Sequence, residues 1–138
     1  MSKIQEFLKN QEKSVMSNVE GKTIIDYFNN NAEEVPEYPA LNTPINSEYT
    51  GWDSVSWSAY RETVHNLASG LIDIGLQLED NAFIVANNVK EHFICDLGIM
   101  HAGAVPSTIY KQLKSGQIEY ISNLLDCLLY TSPSPRDR

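Results

Sequence analysis

The sequence predicts an α/β fold built around at least one βαβ unit. Three observations lead there: an amphipathic helix pattern over 58–75, a short unbroken apolar run, AFIVA, after Asp80, and a second helix pattern over 88–103 that leads into AVPSTI. Two strands joined through a helix run parallel, and a parallel strand covered on both faces reads as continuous apolar sequence rather than alternation. The crossover is expected to be right-handed.

The elements follow in order. Residues 1–22 form a polar opening in which Ile4, Phe7, Leu8, Val15 and Met16 make one weak helical face, expected to pack as an ordinary helix. The segment lacks the long apolar core of a secretion signal or membrane span. Thr23 begins a helix with Asp26 at capping-box spacing, and Ile25, Phe28 and Ala32 recur at helical intervals. Pro36 and Pro39 stop that helix and open the extended stretch PALNTPI. DSVSW, flanked by Trp52 and Trp57, reads as a hairpin arm whose aromatics serve the core.

In the first long helix Ser58 is the expected cap, and Tyr60, Val64, Leu67, Ala68, Leu71 and Ile74 line one face before Gly75 closes it. In the second, Asn88 caps with Glu91 three residues on, Phe93, Leu97 and Met100 mark the buried stripe, and Gly103 ends it. Ser115 opens a last helix with Ile118, Ile121 and Leu125 on one side. Alternation calls for another strand after that helix, and none is expected from the residues that follow.

The chain of 138 residues carries a formal charge of −8 with the acids scattered, and no Lys/Arg cluster is present to neutralise phosphates, which argues against nucleic acid as a partner. Cys95 and Cys127 cannot make a disulfide framework, and His65, His92 and His101 stand apart from Cys ligands, so no zinc site is expected and the histidines read as ordinary helix residues. A cytoplasmic location follows by default.

In this order the segments PALN, SWSAYRETVHNLASGLIDIGL, DNAFIVANNVKEHFICDLGIMHAGAVPSTIY and SGQIEYI carry a family likeness. The sequence resembles the amino-terminal part of the AMP-forming adenylate ligases, and in PSTIY with S-x-x-QI-x-Y-I it looks most like the long-chain fatty-acid–CoA ligases. Leu67-Ala68-Ser69-Gly70-Leu71, Gly75, Asn87 or Asn88, and Gly103-Ala104-Val105 stand in the family's places. Two positions depart: Glu79 stands where glycine is usual before Asp80, and Gln112 where long-chain members carry threonine.

The resemblance implies a fold that is an incomplete piece of the ligases' large amino-terminal domain, with residues 1–22 an extension, 23–126 the partial domain and 127–138 a tail. It implies an intact enzyme that uses ATP, Mg2+ and coenzyme A on a long-chain fatty acid. A carboxylate attacks the α-phosphate to give an acyl-adenylate and pyrophosphate, and coenzyme A then displaces AMP. Peripheral membrane contact is compatible with a lipid substrate; no transmembrane segment is expected.

The tail CLLYTSPSPRDR touches on the same chemistry. The family's phosphate loop runs Thr-Ser-Gly-Thr-Thr-Gly, whereas Tyr130-Thr131-Ser132 is followed by Pro133, Ser134 and Pro135, and proline has no N–H to offer a phosphate. Cys127 through Asp137 instead matches the translation of a transposase-end sequencing adapter, in which TGT CTC TTA TAC ACA TCT encodes Cys-Leu-Leu-Tyr-Thr-Ser. The tail is therefore expected to be non-native, with the catalytic and nucleotide-binding residues lying beyond the sequence, so no catalytic, cofactor-binding or metal residue is assigned to this chain and no bound cofactor is expected. Within it, Asp80 is expected to shape a turn and Asp96 to serve a helix face. Tyr110 and Ser115 are the candidates to approach a fatty-acid tunnel in an intact enzyme, though pocket lining is not read without the opposing wall, and His101 is read as packing rather than a general base. The rival readings are a free-standing non-catalytic α/β binding module and an adenylating enzyme for another carboxylic acid.

Overall fold

A computed structural model describes residues 3–110, 112–125 and 129–131. The elements are α1 (Lys3–Val19), α2 (Ile24–Glu34), β1 (Pro39–Pro44), β2 (Trp52–Ser56), α3 (Trp57–Asp73), β3 (Asn81–Ile84), α4 (Lys90–His101), β4 (Val105–Thr108), α5 (Ser115–Leu124) and β5 (Leu129–Thr131). The expected βαβ unit is present: β3 and β4 pair in parallel, Asn81 opposite Val105 through Ile84 opposite Thr108, with α4 as the crossover.

β3 is the centre of a sheet ordered β4-β3-β5. Its side chains alternate between two apolar layers, as a pleated strand requires. Ala82 and Ile84 meet Leu71, Leu76, Ile99 and Ala104 on the α3–α4 side. Phe83 and Val85 meet Ile109 and, around it, Ile118, Ile121 and Leu125 of the α5 segment on the other. A third cluster, Phe28, Tyr60 and Val64 with Leu41, Val55, Trp57, Ile94 and Leu97, binds α2 and the antiparallel β1–β2 hairpin to α3 and α4. Helix α4 lies close on α3 because residue 98 is glycine: a Cβ there would stand 2.7 Å from Leu67 Cδ2.

The helix ends follow the sequence in part. Thr23 Oγ1 accepts from the Asp26 amide, and the Thr23 amide at 2.6 Å and hydroxyl at 2.8 Å both donate to Asp26 Oδ2, which holds the Asp26 carboxyl below its usual range. Gly75 and Gly103 close α3 and α4 with φ of 107° and 80°. The start of α3 is two residues earlier than Ser58 implies: Ser56 Oγ accepts from the Ala59 amide, and the Ser58 hydroxyl turns to Ser56 Oγ at 3.0 Å. Asn88 does not cap α4; the cap position is Val89, with no side-chain bond, and the first turn is tied instead by the Lys90–Asp53 ion pair to β2.

Four packing expectations are corrected. Ile74 is 68% exposed, because α3 has turned off the core by its last residue. On α4 the buried stripe is Gly98 and Ile99, with Ile94, Cys95 and Leu97 beside it, whereas Phe93 is half exposed. Residues of α4 enter two clusters, one with α3 and the sheet and one with α2, α3 and the hairpin, so a single helical stripe misplaces its core. Trp57 packs on Phe28 as expected, but Trp52 lies exposed at the hairpin tip against Tyr49. Helix α1 exposes its whole apolar stripe, and the Tyr27 hydroxyl of α2 ties down its last turn by donating to the Asn18 carbonyl.

A strand does follow α5. β5 lies parallel to β3 with Tyr130 opposite Phe83. Ladder pairing uses backbone groups alone, so the short apolar run LYT completes the open edge of β3 whatever its origin. Residues 127, 128 and 132–138 of the expected tail, Cys127 among them, lie outside the described residues, as does Asp126 at the end of the expected domain.

Glu79 shows why glycine is usual at its place in the resembling family: its φ is +66°, and its amide donates to the Gly103 carbonyl at 2.8 Å to lock the β3 and β4 entries together. A side chain costs roughly 1–2 kcal/mol in that conformation. Glu79→Gly is expected to raise the urea midpoint by about 1 kcal/mol equivalent, while Thr23→Ala lowers stability by about 1 kcal/mol and Ile99→Ala by about 2–5 kcal/mol.

Candidate functional site

In parallel α/β sheets ligands bind beyond the carboxyl ends of the strands, where the chain leaves the ladder and backbone groups are free. Here β3 and β4 end together at Ile84 and Thr108, and beyond them opens a cleft of about 420 Å³. Asn87 and Asn88 line it from the β3–α4 connection, His92 from the first turn of α4, Thr108 from the end of β4, and Tyr110 and Gln112 from the chain after it.

The local sequence builds this arrangement. The Ile109 amide donates to the Ile84 carbonyl, which carries the β3–β4 pairing one step past the ladder and sets the two rims side by side. His92 Nε2 stands 2.9 Å from Thr108 Oγ1, joining the start of α4 to the end of β4 across the cleft floor. The uncapped start of α4 leaves first-turn amides near this mouth. The Lys90 ammonium is held by Asp53 outside the cleft, and the hydrogen bond to that carboxylate, with its charge, raises the ammonium's affinity for its proton.

The cleft is lined by hydrogen-bonding groups. It holds two amides, a hydroxyl, a phenol, an imidazole and the Gln112 amide, with no carboxylate or thiol among them. Among the described residues no three His, Cys, Asp or Glu side chains come together to hold a metal. The lining thus offers magnesium no carboxylate.

The residues weighed in the sequence fall as follows. Tyr110 lines the cleft and is 76% exposed. Ser115 is the first residue of α5 and does not line the cleft. Asp80 shapes its turn, accepting from the Gln77 amide at 2.7 Å. Asp96 faces Tyr60, whose hydroxyl burial and that carboxylate push up to about 12. His65 and His101, read as ordinary helix residues apart from any Cys ligand, lie in ring contact, and His101 Nδ1 stands 2.8 Å from the Leu97 carbonyl. The set Asn87, His92, Thr108 and Gln112 went unrecognised in the sequence. The signal for it was the pair of strand ends, which place residues some 20 positions apart on one rim.

A parallel sheet layered between helices, with a polar cleft at its carboxyl edge, is an α/β architecture shared by many families. Residues 28–131 match the AMP-binding enzyme family, and the chain belongs to it. It is 28% identical over 110 residues to the long-chain-fatty-acid–CoA ligase heimdall of Drosophila melanogaster, covering 78% of this chain and 16% of that protein. It is 29% identical over 101 residues to the vibriobactin-specific 2,3-dihydroxybenzoate-AMP ligase of Vibrio cholerae, covering 72% and 17%. Among solved structures, the N-terminal subdomain of Klebsiella oxytoca NpsA superposes with a TM-score of 0.68 at 19% identity, over 79% of this chain and 27% of that one. The fatty acid AMP ligase of Legionella pneumophila gives 0.68 at 14% identity, over 77% and 18%. The fold is thus that of an adenylate-forming ligase's N-terminal subdomain, and the chain spans less than a fifth of the length of the two ligases it matches in sequence.

Cys95 is half-buried on α4, and burial, then Glu91 and Asp96, raise its thiol pKa. In a Cys127→Ser background it is expected to react with a disulfide reagent at least about tenfold more slowly in buffer at pH 7.5 than in urea, as a thiol kept protonated does. Equal rates would show α4 loose on the sheet.

Proposed function

We propose that this chain is the amino-terminal part of an ATP-dependent long-chain fatty-acid–CoA ligase, and that on its own it supplies scaffold rather than chemistry. The observation that carries the reading is the match of residues 28–131 to the AMP-binding enzyme family together with the likeness to heimdall across 78% of the chain. The whole enzyme would join a carboxylate to AMP with release of pyrophosphate, then pass the acyl group to coenzyme A, with ATP, Mg2+ and coenzyme A as its requirements and a fatty acid as its acid.

The groups on this chain support the division of labour. An acyl-phosphate transition state needs convergent backbone donors or cations around the phosphoryl oxygens. The described residues offer the cleft's neutral hydrogen-bonding groups instead. The proline-bearing tail is read as adapter-derived, so the native continuation after Asp126 is a segment leading to the glycine-rich phosphate loop. A cytoplasmic setting with peripheral contact to lipid suits the substrate; no helix among the described residues is long and apolar enough to cross a membrane.

A second reading keeps the reaction and changes the acid: the likeness to the 2,3-dihydroxybenzoate-AMP ligase favours an aryl substrate as the alternative. Two measurements test these readings. Uninterrupted genomic sequence past the Asp126 codon is expected to run into a Thr-Ser-Gly-Thr-Thr-Gly segment; a stop codon after Arg138 would establish a free-standing module instead. ATP–pyrophosphate exchange by the protein of that longer gene is expected with palmitate and not with 2,3-dihydroxybenzoate, and the 138-residue chain is expected to give none with either acid.

A further inference from the structure

His65 of α3 and His101 at the end of α4 bring two imidazoles together between the helices, with ring centroids 5.1 Å apart. His101 Nδ1 stands 2.8 Å from the Leu97 carbonyl. A carbonyl only accepts, so Nδ1 carries the proton and Nε2 the lone pair. That Nε2 is buried and has no hydrogen-bond partner among the described residues. A buried acceptor left without a donor calls for an ordered water or an ion. His65, by contrast, is exposed, so the pair is open to solvent on the α3 side.

An imidazole tied through one N–H to a backbone carbonyl, with its other nitrogen free, is oriented as metal-ligating histidines are. The ring spacing selects a geometry. Two imidazoles on one tetrahedral ion, with metal–nitrogen bonds of about 2.0–2.1 Å, have centroids about 5.2 Å apart. A square-planar ion draws the same rings to about 4.5 Å. The observed 5.1 Å matches the tetrahedral case. We propose that the His65–His101 pair is a zinc site, in which His101 Nε2 and one ring nitrogen of His65 bind Zn2+ and the ion staples α3 to α4.

Among the described residues no third His, Cys, Asp or Glu completes the set, so water fills the remaining positions. The lack of nearby Cys, which spoke against zinc in the sequence, leaves a pair of nitrogen ligands that zinc accepts. The carboxyl end of α4 favours a cation at His101. Arg61 opposes one at His65, and Glu33, 3.7 Å from Arg61, offsets part of that charge. Burial, then His101 and Arg61, lower the His65 pKa from the ordinary 6.5, which leaves the neutral ring that a metal needs at neutral pH. Such a staple acts on the scaffold and is independent of the ligase chemistry.

The test is calorimetric titration of Zn2+ into the full chain at pH 7.5, carrying Cys127→Ser to remove a competing thiol. One zinc per chain is expected, with a rise in melting temperature that EDTA reverses. His65→Ala is expected to weaken binding at least about tenfold, as loss of a ligand does, while His92→Gln leaves it unchanged. No binding up to millimolar zinc, or equal binding by His65→Ala, overturns the site. Should His65→Ala fail to fold, the imidazole NMR signals of the chain with both histidines intact decide: zinc shifting the His65 and His101 rings together supports the proposal, and zinc shifting His92 alone overturns it.

Discussion

One short strand organises this molecule. β3 is covered on both faces, by α3 and α4 through Ala82 and Ile84 and by the α5 segment through Phe83 and Val85. Everything else is fixed relative to it. The close seating of α4 on α3, which the missing side chain at Gly98 permits, sets the depth at which Ile99 meets Ile84. The lock between Glu79 and Gly103 sets the register at which β3 and β4 enter the sheet. The same register brings the strands' carboxyl ends level, and a cleft at that edge is the consequence.

The architecture was legible because its signals are local and repeated. AFIVA could be read as a doubly covered strand from its unbroken apolar run, and the capping box at Thr23 and the closing glycines at residues 75 and 103 were written in residue type and spacing. What escaped was decided between elements. Ser56 rather than Ser58 caps α3 because the β2 strand runs straight into the helix. Helix α4 enters two clusters, so its periodicity pointed to Phe93, a residue that faces out. The cleft and the His65–His101 contact join residues far apart in sequence, and no one-dimensional pattern marks such meetings. The third strand was missed because backbone pairing at an open edge asks little of side chains.

Function follows the same division. The family relationship rests on the order of scaffold features, and those features hold the strands whose ends border the cleft. The amides, hydroxyl and imidazole gathered there are suited to recognition by hydrogen bonds, while the chemistry proposed for the whole ligase demands groups of another kind. Helix α1 and the Tyr49–Trp52 hairpin tip stand outside the three packed clusters, with apolar side chains turned to solvent.

The account's central claim is that stability radiates from β3 and its two covering layers. Native-state hydrogen exchange read amide by amide tests it most directly. The account predicts the slowest exchange at Phe83, Ile84 and Val85 and in the facing turns of α3 and α4, with α1 exchanging near the rate of an unstructured peptide. Protection in α1 equal to that of β3, or β3 amides exchanging as fast as those of α1, would contradict it.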